Sequence, residues 1–197
     1  EVNIPEFSES GIWTLSSISM GDSANNHEYL FDRELADLGI TSQFEVVNSI
    51  SDITAPILQS YEFVDSKFDV SEGEANFFFR ANFYDDLSGF EEGNISIRFK
   101  SPSGLNTINS YQYISTYSPP SDGSSYHKEG NNLFIEQIIT IPEHSEIGIW
   151  TLDNIEITDS VGNRREYEND VLINSGFGTQ FEIINSIIDS NSPEIKS

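Results

Sequence analysis

The chain has 197 residues, enough for one large domain or two small ones, each with a real core. Its 33 acidic residues face 9 basic ones, and a net charge of −24 repels nucleic acid and anionic membranes, which need Lys and Arg to displace counterions. With no cysteine, disulfide frameworks, thiolate zinc sites and cysteine catalysis are excluded, and no stretch approaches the ~20 apolar residues that span a bilayer.

Hydrophobic residues make up 37% and aromatics 12%, too rich for a disordered acidic tail. Phe, Tyr, Ile, Val and Thr recur in short runs, which biases the chain toward strands. Taken from the start, residues 2–60 reappear 137 positions later. Gly11-Ile12-Trp13-Thr14-Leu15 returns as Gly148-Ile149-Trp150-Thr151-Leu152, and Gln43-Phe44-Glu45 as Gln180-Phe181-Glu182. Ungapped alignment of residues 2–60 with 139–197 gives 25 identities in 59 positions, which is duplication. A period near 137 is too long for a solenoid turn and suits a string of whole β-domains. Residues 1–53 then read as the C-terminal part of a first repeat, 54–187 as a complete repeat, and 188–197 as the start of a linker to a further one. The fragment at 1–50 cannot close a sandwich alone. It is expected to come from a longer chain and, in isolation, to fray or to borrow strands by exchange or homodimer formation.

Further along, Ala75–Tyr84 alternates, with Phe77, Phe79, Ala81 and Phe83 on one face. Asn94–Lys100 does the same with Ile95, Ile97 and Phe99. Tyr111, Tyr113 and Tyr117 share a face of the next strand, and Leu133, Ile135, Ile139 and Ile141 form a third apolar stripe. Turn clusters stand at Ser101–Gly104, Pro119–Ser125 and Asp159–Asn163. Seven or so strands with such turns predict an aligned antiparallel β-sandwich. Trp150 and Leu152 share a parity, whereas Ile155 and Ile157 have the opposite one. All four can face a core only if a bulge adds a residue near Asp153-Asn154, and likewise near Ser16-Ser17 for Trp13, Leu15, Ile18 and Met20. Trp13 and Trp150 both read as core anchors. His27, His127 and His144 are scattered surface residues, and no catalytic signature is present, so the chain reads as a non-enzyme.

Gly148-Ile149-Trp150-Thr151-Leu152 followed by Asp159-Ser160-Val161-Gly162-Asn163 resembles the G-x-W-x-L…D-x-x-G-N pattern of bacterial Ig-like repeats, which are similar to cadherin-like modules. Asp85-Asp86-Leu87-Ser88-Gly89 resembles their D-x-x-S-G turn, and Asp52-Ile53-Thr54-Ala55-Pro56 their D-x-T-x-P linker. The resemblance implies an Ig-like sandwich in a large bacterial surface adhesin or an exported multidomain protein. The chain would then be extracellular or at the cell surface, flanked by neighbouring repeats, with an export signal upstream of Glu1. The first copy departs from the pattern by placing Asn25 where Gly162 stands, and Asn tolerates positive φ better than most residues.

If Ala75–Tyr84 is strand B and Ile149–Ile157 strand F of such a sandwich, Asp52, Asp85, Asp86, Asp159 and Asn163 gather at one end. There they could hold Ca2+, a hard cation that takes 6–8 oxygens. The competing account is plain turn chemistry, since Asp and Asn open turns by bonding their own backbone. Tyr111, Tyr113 and Tyr117 offer a second candidate, an exposed platform on which sugar rings of a glycan stack. Half-buried sheet packing is its competing account.

Overall fold

The structure is a computed structural model that describes residues 3–63, 66–115 and 120–186. Strands take up 52% of the chain and helices 7%, so the all-β expectation holds. The chain divides into two units, Glu1–Ile53 and Thr54–Ser197.

The first unit contains β1 (Gly11–Thr14), β2 (Ser17–Gly21), β3 (His27–Phe31), the six-residue helix α1 (Asp32–Asp37) and β4 (Gln43–Val46). These make two antiparallel pairs, β1 with β4 and β2 with β3. Little apolar surface is covered: among the described residues of this unit, Leu35 is the one buried hydrophobic side chain. Trp13, expected as a core anchor, is only half-buried, its ring tilted at 44° to that of an exposed Phe44 with centroids 6.2 Å apart. Its indole N–H donates to the Glu9 carbonyl at 2.9 Å, so the ring is fixed locally although no core closes over it.

The second unit runs through β5 (Ile57–Phe63), β6 (Lys67–Asp69), β7 (Ala75–Tyr84), β8 (Glu92–Lys100), β9 (Thr107–Ser115), β10 (Ser125–Glu129), β11 (Asn132–Ile141), β12 (Gly148–Thr158), β13 (Arg164–Glu168), helix α2 (Asn169–Asn174) and β14 (Gln180–Ile184). One sheet has the order β10-β11-β7-β5. The other has the order β6-β14-β12-β8-β9, with β13 also paired to β12. All pairings are antiparallel except β14 with β6, so the chain changes sheets between Phe63 and Lys67. Alternation decides which side chains go inside. Phe77, Phe79, Ala81 and Phe83 of β7, Ile95, Ile97 and Phe99 of β8, and Leu133, Ile135, Ile139 and Ile141 of β11 are all buried in one core with Trp150, Leu152, Phe181 and Ile183. Phe181 sits at its centre. Ring centroids of Phe63, Phe68, Phe77 and Phe99 lie 5.3–6.4 Å from its own, within the range of favourable aromatic pairs.

The bulge expected from the parity change is present: the β12–β8 register shifts between Leu152 and Asn154. Asp153, the extra residue, receives Arg98 Nε at 2.5 Å and Lys100 Nζ at 2.6 Å. Burial raises its pKa, but Lys100 and Arg98 outweigh that and hold the carboxyl below its usual range. In the first unit the same position is a break between β1 and β2. The two helices were not expected from composition. Each is less than two turns long and buries a single leucine, Leu35 or Leu172.

Candidate metal centre

Asp85 and Asp159 end the two strands that meet at one end of the second unit. The alternation that buries Phe79, Ala81 and Phe83 continues onto Asp85, and that of Ile155 and Ile157 continues onto Asp159, so both carboxylates face inward and are buried. Each closes its own turn. Asp85 Oδ2 accepts the N–H groups of Leu87 at 3.1 Å and Gly89 at 2.7 Å, and Gly89 takes a φ of 65°, which a side chain would strain. Asp159 Oδ1 accepts from Val161 at 3.0 Å and from Gly162 and Asn163 at 2.8 Å each. Its Oδ2 takes the Asn163 side-chain amide at 2.8 Å. Donors of this kind favour the ionised carboxylate. The same turn in the first unit holds the Asp22 carboxyl below its usual range, mainly through the Asn26 side chain. There Asn25 adopts a φ of 65°, the left-handed conformation that glycine fills at Gly162.

The two turns are stitched together. Ser160 donates to the Gly89 carbonyl from both its N–H (3.1 Å) and its hydroxyl (3.0 Å), and the same hydroxyl accepts the Glu91 N–H at 2.8 Å. Gly93 lets β8 lie close to β12 here, since a Cβ at that position would come within 2.4 Å of the Thr158 carbonyl oxygen. The result is a pair of buried carboxylates, one oxygen of each within 4.8 Å of the other.

Of the five residues expected to gather, Asp85, Asp159 and Asn163 are brought together in this unit. Asn163 presents its amide nitrogen to Asp159, which makes it a support for that carboxylate. Asp86 is exposed, and its carboxylate accepts the Thr54 hydroxyl. Asp52 is buried and belongs to the first unit, where its N–H donates to the Phe7 carbonyl at 2.8 Å. Sequence reading missed Ser160 as the link between turns; its signal was the Asp-Ser pair present in both copies, at Asp22-Ser23 and Asp159-Ser160.

Tyr111 and Tyr113 lie two apart on β9, which among the described residues pairs only with β8, and they are 64% and 45% exposed, so their rings are reachable from solvent. Tyr117 lies outside the described residues. No protein-family model matches the chain, and no curated protein matches it.

Proposed function

We propose that the chain is a non-catalytic spacer built of tandem Ig-like β-sandwich repeats, extending or presenting other domains at a bacterial surface and stiffened by calcium. The observation that carries this reading is the recurrence of whole elements at one offset. β1, β2, β3, α1 and β4 stand 137 residues before the matching parts of β12, β13, α2 and β14, and Trp13 faces Phe44 in the register in which Trp150 faces Phe181. A chain that repeats entire β-units is lengthened unit by unit, which suits a mechanical role. The strand order supports the Ig-like part of the proposal. Naming β5, β7, β11 and β10 as A, B, E and D, and β8, β12 and β14 as C, F and G, gives the two sheets of such a sandwich, with β6 as a second half of A beside G.

Calcium enters through the Asp85–Asp159 pair. Two anions whose oxygens lie within 4.8 Å repel by about 3 kcal/mol at an effective dielectric constant near 20, and a hard divalent cation reverses the sign of that term. Thermal unfolding in 5 mM calcium and in excess chelator tests the proposal. If the site binds a hundredfold below that concentration, stabilisation of about 2.7 kcal/mol raises the transition of the second unit by roughly 8 °C. Asp85→Asn and Asp159→Asn are expected to abolish the rise. Identical melting curves in calcium and chelator would overturn the cation part.

A second reading is favoured by the exposure of Tyr111 and Tyr113: a carbohydrate-binding accessory module of an exported protein, in which sugar rings stack on the two phenols. Retention on a glycan array that is lost in the Tyr111→Ala/Tyr113→Ala double variant, with melting unchanged, is its expected signature. Equal binding by the variant would remove it.

A further inference from the structure

Among the described residues, five strands of the second unit pair on one side only, and four of them carry features that keep a sheet edge from joining another sheet. β6 has three residues, two of them Lys67 and Asp69. β10 has five, including Lys128 and Glu129, and β13 carries Arg164, Arg165, Glu166 and Glu168. β5 contains Glu62 and a register shift between Leu58 and Ser60. β9 has none of these. Its nine residues include no charge and no proline, and they pair with β8 without a break, from Thr107 opposite Lys100 to Ser115 opposite Glu92. Both chain neighbours of β9 are in place, β8 bonded to it and β10 in the other sheet, so its open edge belongs to the repeat itself. The strand lies within residues 101–121, which hold no Asp, Glu, Lys, Arg or His. No other run in this chain is uncharged for so long; the next, residues 10–21, is little more than half its length.

We infer that the open edge of β9 is a self-association surface, on which β9 of a second copy of this chain pairs antiparallel about a two-fold axis. Charge selects that occupant. Two copies at −24 repel each other, and a large net charge of one sign keeps proteins apart. A neutral strand is the surface on which an equally acidic molecule can approach to the ~4.8 Å spacing of paired strands without setting carboxylate against carboxylate. Two-fold pairing consumes both edges, so association stops at two. The register follows from the pleat. Directly opposed side chains share a face, so the axis passes through a residue. With the axis at Tyr111, Ile108 faces Ile114 on the core side, Asn109 faces Tyr113 on the outer side, and Tyr111 faces its own copy. An axis at Ser110 sets Ile108 against Gln112, and one at Gln112 sets Ile114 against Ser110, so both lose the apolar pair. The inference stands apart from the calcium and glycan readings.

The test is sedimentation equilibrium of the full chain in chelator and without glycan, so that failure of either reading cannot be mistaken for failure here. In about 1 M salt, where the screening length falls to about 3 Å, the mass is expected to rise with concentration from 22.1 kDa toward twice that value. In about 0.01 M salt the repulsion is felt over about 30 Å, and the pair is expected to separate. Tyr111→Glu sets two carboxylates opposite each other and is expected to weaken association by at least about fivefold. Ile173→Glu adds the same charge on the exposed side of α2 and leaves association unchanged. The chain has no cysteine, so engineered thiols report the register. Mild oxidation is expected to cross-link Tyr111→Cys to itself, and a mixture of Asn109→Cys and Tyr113→Cys chains more than either alone, because opposed Cα atoms about 4.5–5.5 Å apart are within disulfide reach. A mass of 22.1 kDa at every concentration up to about 1 mM in high salt overturns the inference. So does a dimer that survives Tyr111→Glu, as one formed through residues 1–50 would.

Discussion

Phe181→Ala is expected to destabilise the second unit by roughly 3–5 kcal/mol, whereas Phe44→Ala costs the first unit less than about 1 kcal/mol. The two residues are the same amino acid at the same place in duplicated sequence, each flanked by Gln and Glu. They differ in what surrounds them. Phe181 is enclosed by four phenylalanine rings from β5, β6, β7 and β8, so truncation leaves a cavity whose walls belong to two sheets and cannot easily collapse. Phe44 is 44% exposed, and among the described residues its one ring partner is Trp13, so its removal uncovers little and leaves no void. Denaturant unfolding with amide exchange read separately in β14 and β4 measures both. A Phe44→Ala effect as large as that of Phe181→Ala would mean that the first unit has a closed core of its own.

That comparison also marks how far the sequence could be read. Strand faces were legible wherever alternation was unbroken, as in β7 and β8, because a period of two leaves one solution for which side chains go inside. The bulge at Asp153 was legible for the same reason, as a conflict of parity that only an added residue resolves. Trp13 misled because its local sequence equals that of Trp150, whereas burial is conferred by strands far away in the chain. The helices at Asp32–Asp37 and Asn169–Asn174 escaped because six residues do not complete two turns of a helical period. The three-residue β6 and its parallel pairing with β14 left no local mark at all. At the candidate site the convergence of Asp85 and Asp159 followed from the ends of two strands. The separation of Asp85 from Asp86 was readable too, since Asp85 continues the inward parity of Phe83 and Asp86 does not.

Asp159→Ala is expected to cost the second unit about 3 kcal/mol in the absence of any cation. The carboxylate accepts three backbone N–H groups and the Asn163 amide, and truncation leaves those donors to water in a buried turn. Each charge-assisted bond of this kind is worth roughly 1.5–3 kcal/mol, and entry of water recovers part of the loss. This effect belongs to the turn and says nothing about calcium. Separating the two requires the partner carboxylate. In chelator, Asp85 and Asp159 repel and each single variant already relieves that repulsion, so the Asp85→Asn/Asp159→Asn double variant should be less stable than the two single variants predict, with a coupling of roughly 1–3 kcal/mol. In calcium the ion attracts both carboxylates, each single variant removes most of that gain, and the second substitution then costs less than it does alone. The coupling must therefore shift toward the opposite sign when calcium replaces chelator, because loss of the ion, like relief of the repulsion, is counted in both single variants but only once in the double. Denaturant unfolding of the four proteins under the two conditions measures it. A coupling energy that is the same in calcium and in chelator would leave Asp85 and Asp159 as turn residues and nothing more.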